Sequence, residues 1–185
     1  NGSDGLVVAG TTGEASTLND DEQAALVRLA VREVGGGRAT VVAGTGTNDT
    51  AHSVHLTRLC AEAGADAALV VTPYYNRPPR EGIVAHIAAI AEVGLPVILY
   101  NIPSRSALNM PPDLLAELAE LPGVVALKQA NPDPGELRAV AAVPPWLAIL
   151  VVFRDLLIVG GVIVLGVLGQ PVVIRPLYIS KLNTV

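Results

Sequence analysis

The sequence predicts an α/β fold built on parallel strands, and three observations carry that prediction. Apolar runs rich in Val, Ile and Ala recur without the polar alternation of a half-exposed sheet, as in residues 5–9, 39–43, 67–71, 96–100 and 124–127. Such runs suit parallel strands covered on both faces. Stretches of helical apolar spacing separate them, and the connections are short, which favours an alternating α/β order over segregated α+β architecture. A barrel and an open sheet both satisfy this pattern.

Taken in order, residues 5–9 read as a short buried strand that leads into the small-residue loop 10–18. Asn19 then stands as an N-cap with Glu22 three residues on, a capping box, and Leu26, Ala30 and Val34 recur along one helix face. Gly35, Gly36 and Gly37 end that helix. The strand 39–43 and the loop 44–50 follow, then a helix with Leu56, Leu59, Cys60 and Ala63 at helical spacing and Gly64 as its stop. The strand 67–71 ends at Thr72, and Ile83, Ile87 and Ile90 mark the next helix. After the Tyr100 strand, Asn109 reads as the cap of a helix entered through Pro111 and Pro112, with Leu114, Leu115 and Leu118 facing inward. After the Lys128 strand, Asp133 to Glu136 repeats the cap-and-box signal.

The last part differs. Residues 146–153 offer one more strand, whereas residues 156–174 form nineteen positions without a formal charge, enough by length for a membrane span. Four glycines, Pro171 and an excess of Val and Ile favour a buried strand with a Gly-rich connection instead, so a membrane partner is not expected. We expect one domain over residues 1–185, with βα units over 1–143 and a divergent apolar tail over 144–185.

Composition narrows the function classes. Hydrophobic residues make up 51% of the 185 positions and 18 more are glycine, an apolar share well above the ~45–50% usual for soluble domains. A net charge of −5, one Trp and one Phe leave neither the basic surface nor the stacking platforms of a nucleic-acid binder. The lone Cys60 has no internal disulfide partner, which fits a reducing compartment. The first residues lack an initiating Met and the positive end of a secretory signal, and suggest that something upstream is missing.

Two apolar strands stop at chemically capable side chains, Tyr100 and Lys128. Function in parallel α/β sheets collects where strands end, so the two are expected on one rim. Desolvation at an apolar cavity wall disfavours an ammonium and makes a lysine a candidate amine nucleophile toward a carbonyl, with a nearby phenol moving its protons. Thr11 and Thr12 sit in a Gly-flanked turn whose amides and hydroxyls suit a carboxylate. Arg105 offers a two-pronged contact to a second one. Taken singly, each has a plainer explanation: a turn, a snorkelling lysine, a core aromatic and a solvated arginine. Neither glycine loop completes a Walker or dinucleotide motif. His52, His55 and His86 read as surface helix residues without metal-ligand spacing, so neither a metal nor an organic cofactor is expected.

Five motifs in order, Gly10-Thr11-Thr12-Gly13-Glu14, Gly44-Thr45-Gly46-Thr47-Asn48, the stretch 71–78 with Tyr74 and Tyr75, the stretch 100–105 and Leu127-Lys128-Gln129, resemble the dihydrodipicolinate synthase (4-hydroxy-tetrahydrodipicolinate synthase) family. These are pyruvate-dependent class I aldolases, a group that also contains N-acetylneuraminate lyase. The resemblance implies a (β/α)8 TIM barrel, here incomplete because the first βα unit is absent, and a cytoplasmic homotetramer in lysine and diaminopimelate biosynthesis. It implies that Lys128 forms a Schiff base with pyruvate, and that Thr12 holds the pyruvate carboxylate. Tyr100 then relays protons through Thr11 to Tyr75 of a neighbouring subunit, and Arg105 binds the carboxylate of L-aspartate-4-semialdehyde. Tyr74 and Asn48 match a lysine feedback site in which His52 and Gln23 replace a glutamate and a histidine, so weak lysine inhibition is expected. The match decays after Pro144. Two alternatives stay open: a related aldolase acting on a sugar acid, and a catalytically silent homologue.

Overall fold

A computed structural model describes residues 4–34, 39–131 and 133–141. The stop at 35–37 and the readings of residues 144–185 lie outside the described residues. Five strands, β1 (Gly5–Val8), β2 (Thr40–Gly44), β3 (Ala67–Val71), β4 (Val97–Asn101) and β5 (Val124–Gln129), form one parallel sheet in the order β1-β2-β3-β4-β5. Each strand lies beside its predecessor. A doubly wound sheet reverses direction at a switch point, so the sequential order is that of a barrel wall.

The helices are α1 (Asp20–Val34), α2 (Thr50–Glu62), α3 (Arg80–Ala91), the single turn α4 (Pro103–Ser106), α5 (Pro112–Ala119) and α6 (Pro134–Ala141). Two 3-10 turns, Thr11–Gly13 and Ala15–Thr17, follow β1. The strands divide the core in two. Val41, Ala43, Ala68, Val70, Val97, Leu99 and Leu127 pack outward against Leu56, Ile87, Ile90, Leu115 and Leu118 of the helices. Val42, Ala67, Leu69, Tyr100 and Ile102 form a smaller cluster on the opposite face. This inner face carries the site.

Local signals act largely as read. Asn19 Oδ1 accepts from the Glu22 amide and the Glu22 carboxylate accepts from the Asn19 amide, both at 2.9 Å, the reciprocal box that satisfies two first-turn donors. Gly64 takes φ +95 after α2. Gly44 and Gly46 are required sterically: a Cβ on Gly44 would stand 2.1 Å from the Ala9 carbonyl oxygen, and one on Gly46 2.4 Å from the Val71 amide nitrogen. These glycines let the rim of β1, β2 and β3 close up.

Four expectations need correction. The buried strand β1 exposes Leu6 and Val7, at 43% and 55%, because it is an edge strand among the described residues. On α1 the inward positions are Ala24 and Val27, while Leu26 turns outward beside exposed Leu29. The apolar residues of this helix are spread over more than one face, so spacing alone picked a wrong member. Asn109 does not cap α5, whose N-cap is Pro111; its side chain bonds across the chain to Asn101, Asn131 and Glu136. His86 is no surface residue. It is 2% exposed, its Nδ1 lies 2.8 Å from Thr50 Oγ1, and burial lowers its pKa below the usual histidine range. His52 and His55 are exposed and face Asp20 at 2.8 and 3.7 Å.

Candidate active site

Parallel pairing sets Tyr100 opposite Lys128 across β4 and β5, and Val71 opposite Tyr100 across β3 and β4. Lys128 is half-buried and its Nζ stands 4.0 Å from the centroid of the Tyr100 ring. An ammonium over a phenol face gains about 0.5–2 kcal/mol, enough to hold a flexible side chain in place. Lys128 and Tyr100, which sequence reasoning put on one rim, are therefore in contact.

Beside them opens a cavity of about 440 Å³. Leu69, Val71, Tyr100, Ile102, Arg105 and Ser106 line it together with Gly10, Thr11, Gly44 and Gly46. Thr11 begins the first 3-10 turn, in which Gly13 and Glu14 donate to the carbonyls of Gly10 and Thr11. The amides of Thr11 and Thr12 open that turn, where no intrahelical acceptor exists. Arg105 is exposed on α4, a turn pinned by Ser106 Oγ donating to the Ile102 carbonyl at 3.0 Å. Arg105 and Tyr100 thus border the same cavity.

Three candidates fall outside this lining. Lys128 reaches Tyr100 from the β5 side, and Thr12 is exposed one residue beyond Thr11. Tyr75 is 89% exposed with φ +70, while its neighbour Asn76 donates to the Asn48 carbonyl at 2.9 Å. A left-handed backbone at a tyrosine costs of order 1–3 kcal/mol and marks a side chain held outward by its loop. Gln23, Asn48, His52 and Tyr74, the positions matched to a feedback site, all line the cavity.

Sequence reasoning missed a second layer. Thr45, Thr72, Asn101 and Gln129, at or just beyond the C-terminal ends of β2, β3, β4 and β5, are all buried. Among the described residues Thr72 Oγ1 and Gln129 Nε2 have no hydrogen-bond partner, an arrangement tolerated where a site is built rather than where a core is packed. The strand-end rule applied to every strand would have found them. Among the described residues no cluster of three or more His, Cys, Asp or Glu is placed to hold a metal, and no helix is long and apolar enough to cross a membrane.

Comparison with known proteins identifies the family and the fold. The model of the dihydrodipicolinate synthetase family matches residues 1–154. The 4-hydroxy-tetrahydrodipicolinate synthase of Parasynechococcus marenigrum is 54% identical over 140 residues, covering 75% of this chain and 46% of the relative. Dihydrodipicolinate synthase from Aquifex aeolicus superposes with a TM-score of 0.76 at 39% identity, covering 80% of this chain and 51% of that one. The enzyme of Acinetobacter baumannii, solved with pyruvate, gives 0.73 at 42%, with coverages of 76% and 48%. The chain spans about half the length of the curated relatives it matches. Its five consecutive strand-helix units are those of the family's (β/α)8 barrel. With most of its length matched by the family model and its fold shared with solved relatives, the chain belongs to the dihydrodipicolinate synthetase family.

Proposed function

We infer that this protein is a Schiff-base lyase that condenses pyruvate with L-aspartate-4-semialdehyde to 4-hydroxy-tetrahydrodipicolinate, the ring precursor of diaminopimelate and lysine. The contact between Lys128 Nζ and the Tyr100 ring at the C-terminal ends of β4 and β5 is the observation that carries this reading. The amine of Lys128 adds to the pyruvate ketone, and loss of water gives the imine. Loss of a methyl proton gives the enamine, whose carbon attacks the aldehyde of the second substrate. The amino group of that substrate then displaces Lys128 as the ring closes. The phenol of Tyr100 donates and accepts the protons of these steps, a role worth about 10²–10⁴-fold in rate.

The threonine turn provides for the first carboxylate: Thr12 and the neighbouring amides hold that of pyruvate, and Thr11 links Tyr100 to Tyr75. The outward, strained backbone of Tyr75 supports a role in the site of a neighbouring protomer within a homotetramer. Arg105 holds the carboxylate of the semialdehyde in a two-pronged contact, which favours this substrate over a sugar acid. Residues 1–143 carry this chemistry, in the cytoplasm and without a metal or organic cofactor. Gln23 and His52 at the lysine-site positions make feedback by lysine weak.

Borohydride reduction in the presence of pyruvate, followed by peptide mapping, tests the assignment. A reduced adduct on Lys128 is the expected result. Folded protein with Lys128 unmodified would overturn it.

A further inference from the structure

Behind the Lys128–Tyr100 contact, on the helix side of the sheet, lies a network of four polar side chains that the mechanism does not use. Asn101 follows Tyr100 on β4 and points to the opposite face, fully buried. Its Nδ2 donates to Asn109 Oδ1 at 2.9 Å and to the Met110 carbonyl at 3.3 Å, and its Oδ1 accepts from the Met110 amide at 3.1 Å. Asn109 Nδ2 donates to Glu136 Oε1 at 2.7 Å. Asn131, three residues after Lys128, donates from Nδ2 to Glu136 Oε2 at 2.7 Å and to Asn109 Oδ1 at 3.3 Å. The Ala130 amide donates to the Asn101 carbonyl at 2.8 Å and extends the pairing of β4 and β5 past their ends.

The connectivity has a consequence for the site. Asn101 ties the end of β4 to residues 109–110, which close the loop carrying Arg105. Glu136, at the start of α6, accepts from that loop through Asn109 and from the β5 exit through Asn131. One carboxylate thus fixes both chain segments that leave the paired strands bearing Tyr100 and Lys128. All its acceptor geometry is directed, since each oxygen faces an amide donor. Packing alone would not need a carboxyl group here, half-buried and bonded across 27 residues of sequence.

We propose that Asn101, Asn109, Asn131 and Glu136 are positioning residues that set the register of Lys128, Tyr100 and Arg105 through this network. The proposal rests on the reading of Lys128 as the Schiff-base lysine. A donor–acceptor swap tests it. Asn109→Asp sets a carboxylate oxygen against Glu136, and Glu136→Gln sets an amide donor against Asn109 or Asn131, so each single change breaks one bond. In the N109D/E136Q double variant the new amide at position 136 donates to the new carboxylate at position 109 and accepts from Asn131, and every bond is restored with roles exchanged.

The measurements are made on the full chain: the rate of borohydride-trapped pyruvate adduct on Lys128, the rate of Lys128 acetylation by acetic anhydride, and the thermal unfolding of each variant. We expect both rates to change about ten- to hundredfold in the folded single variants, since small misplacements of reacting groups cost that much. The double variant returns to within about threefold of native. Folded single variants with native rates, a folded double variant no better than the singles, or single variants that lose only thermal stability would overturn the positioning role. A native chain that traps no pyruvate defeats the proposed function instead, and the acetylation rates then judge the network by the same comparison.

Discussion

Replacing Tyr100 by Phe separates the ring beneath Lys128 from the hydroxyl to which we assign proton transfer. The ring face 4.0 Å from Nζ is retained in Phe, so the ~0.5–2 kcal/mol that holds the amine in place is largely kept. Only the hydroxyl is lost. General acid–base catalysis contributes about 10²–10⁴-fold, or about 3–5 kcal/mol of barrier. Tyr100→Phe should therefore lower kcat by at least about a hundredfold while a pyruvate adduct still accumulates on Lys128, more slowly. Tyr100→Ala adds the loss of a 7% exposed ring from the inner cluster, with a stability cost of about 3–5 kcal/mol. The assay is steady-state turnover beside a borohydride quench series read by peptide mass. A Phe variant with kcat within about threefold of native would refute the assignment of proton transfer to this phenol.

Leu118→Ala, at a site with no exposure between α5 and the sheet, should cost about 2–5 kcal/mol and lower the urea midpoint without changing the slope. Burial depresses the His86 pKa below 6.5, so the native state binds fewer protons there than the unfolded state does. Stability from this group is present above about pH 6.5 and is lost as pH falls through the folded-state value. Urea melts of native and His86→Gln protein should diverge below pH 6.5, and parallel pH profiles would refute this. Burial also pushes the Cys60 thiol up to about 11; a thiol reagent at pH 8 should leave it untouched in folded protein and modify it in urea, and rapid native reaction would contradict its placement.

What the sequence revealed depended on the range of the signal. The Asn19–Glu22 box lies within three residues, and its side-chain bonds form as read. The parallel, doubly covered strands were within reach because unalternating runs exclude a half-exposed sheet, while the barrel followed only from the motif resemblance and the strand order only from the pairing itself. Asn109 looked like a cap because an Asn before two prolines is a common local solution. Its actual partners stand 8 to 27 residues away, and no local pattern encodes them. His86 failed for a related reason: its position on an otherwise apolar helix gave no hint that the first residue of α2 would supply a hydroxyl to bury it. In the site, Tyr100 and Lys128 were legible as polar stops on apolar strands. Thr72, Asn101 and Gln129 occupy similar positions but carry neutral side chains that attract no chemical reading.

The close approach at Gly44 and Gly46 reaches beyond this chain's own chemistry. Because any side chain at either position must displace neighbouring backbone, this part of the cavity lining is intolerant to change, while the Arg105 side chain is exposed. Libraries that vary the cavity should therefore hold the two glycines fixed and diversify Arg105, whose side chain no packing constrains.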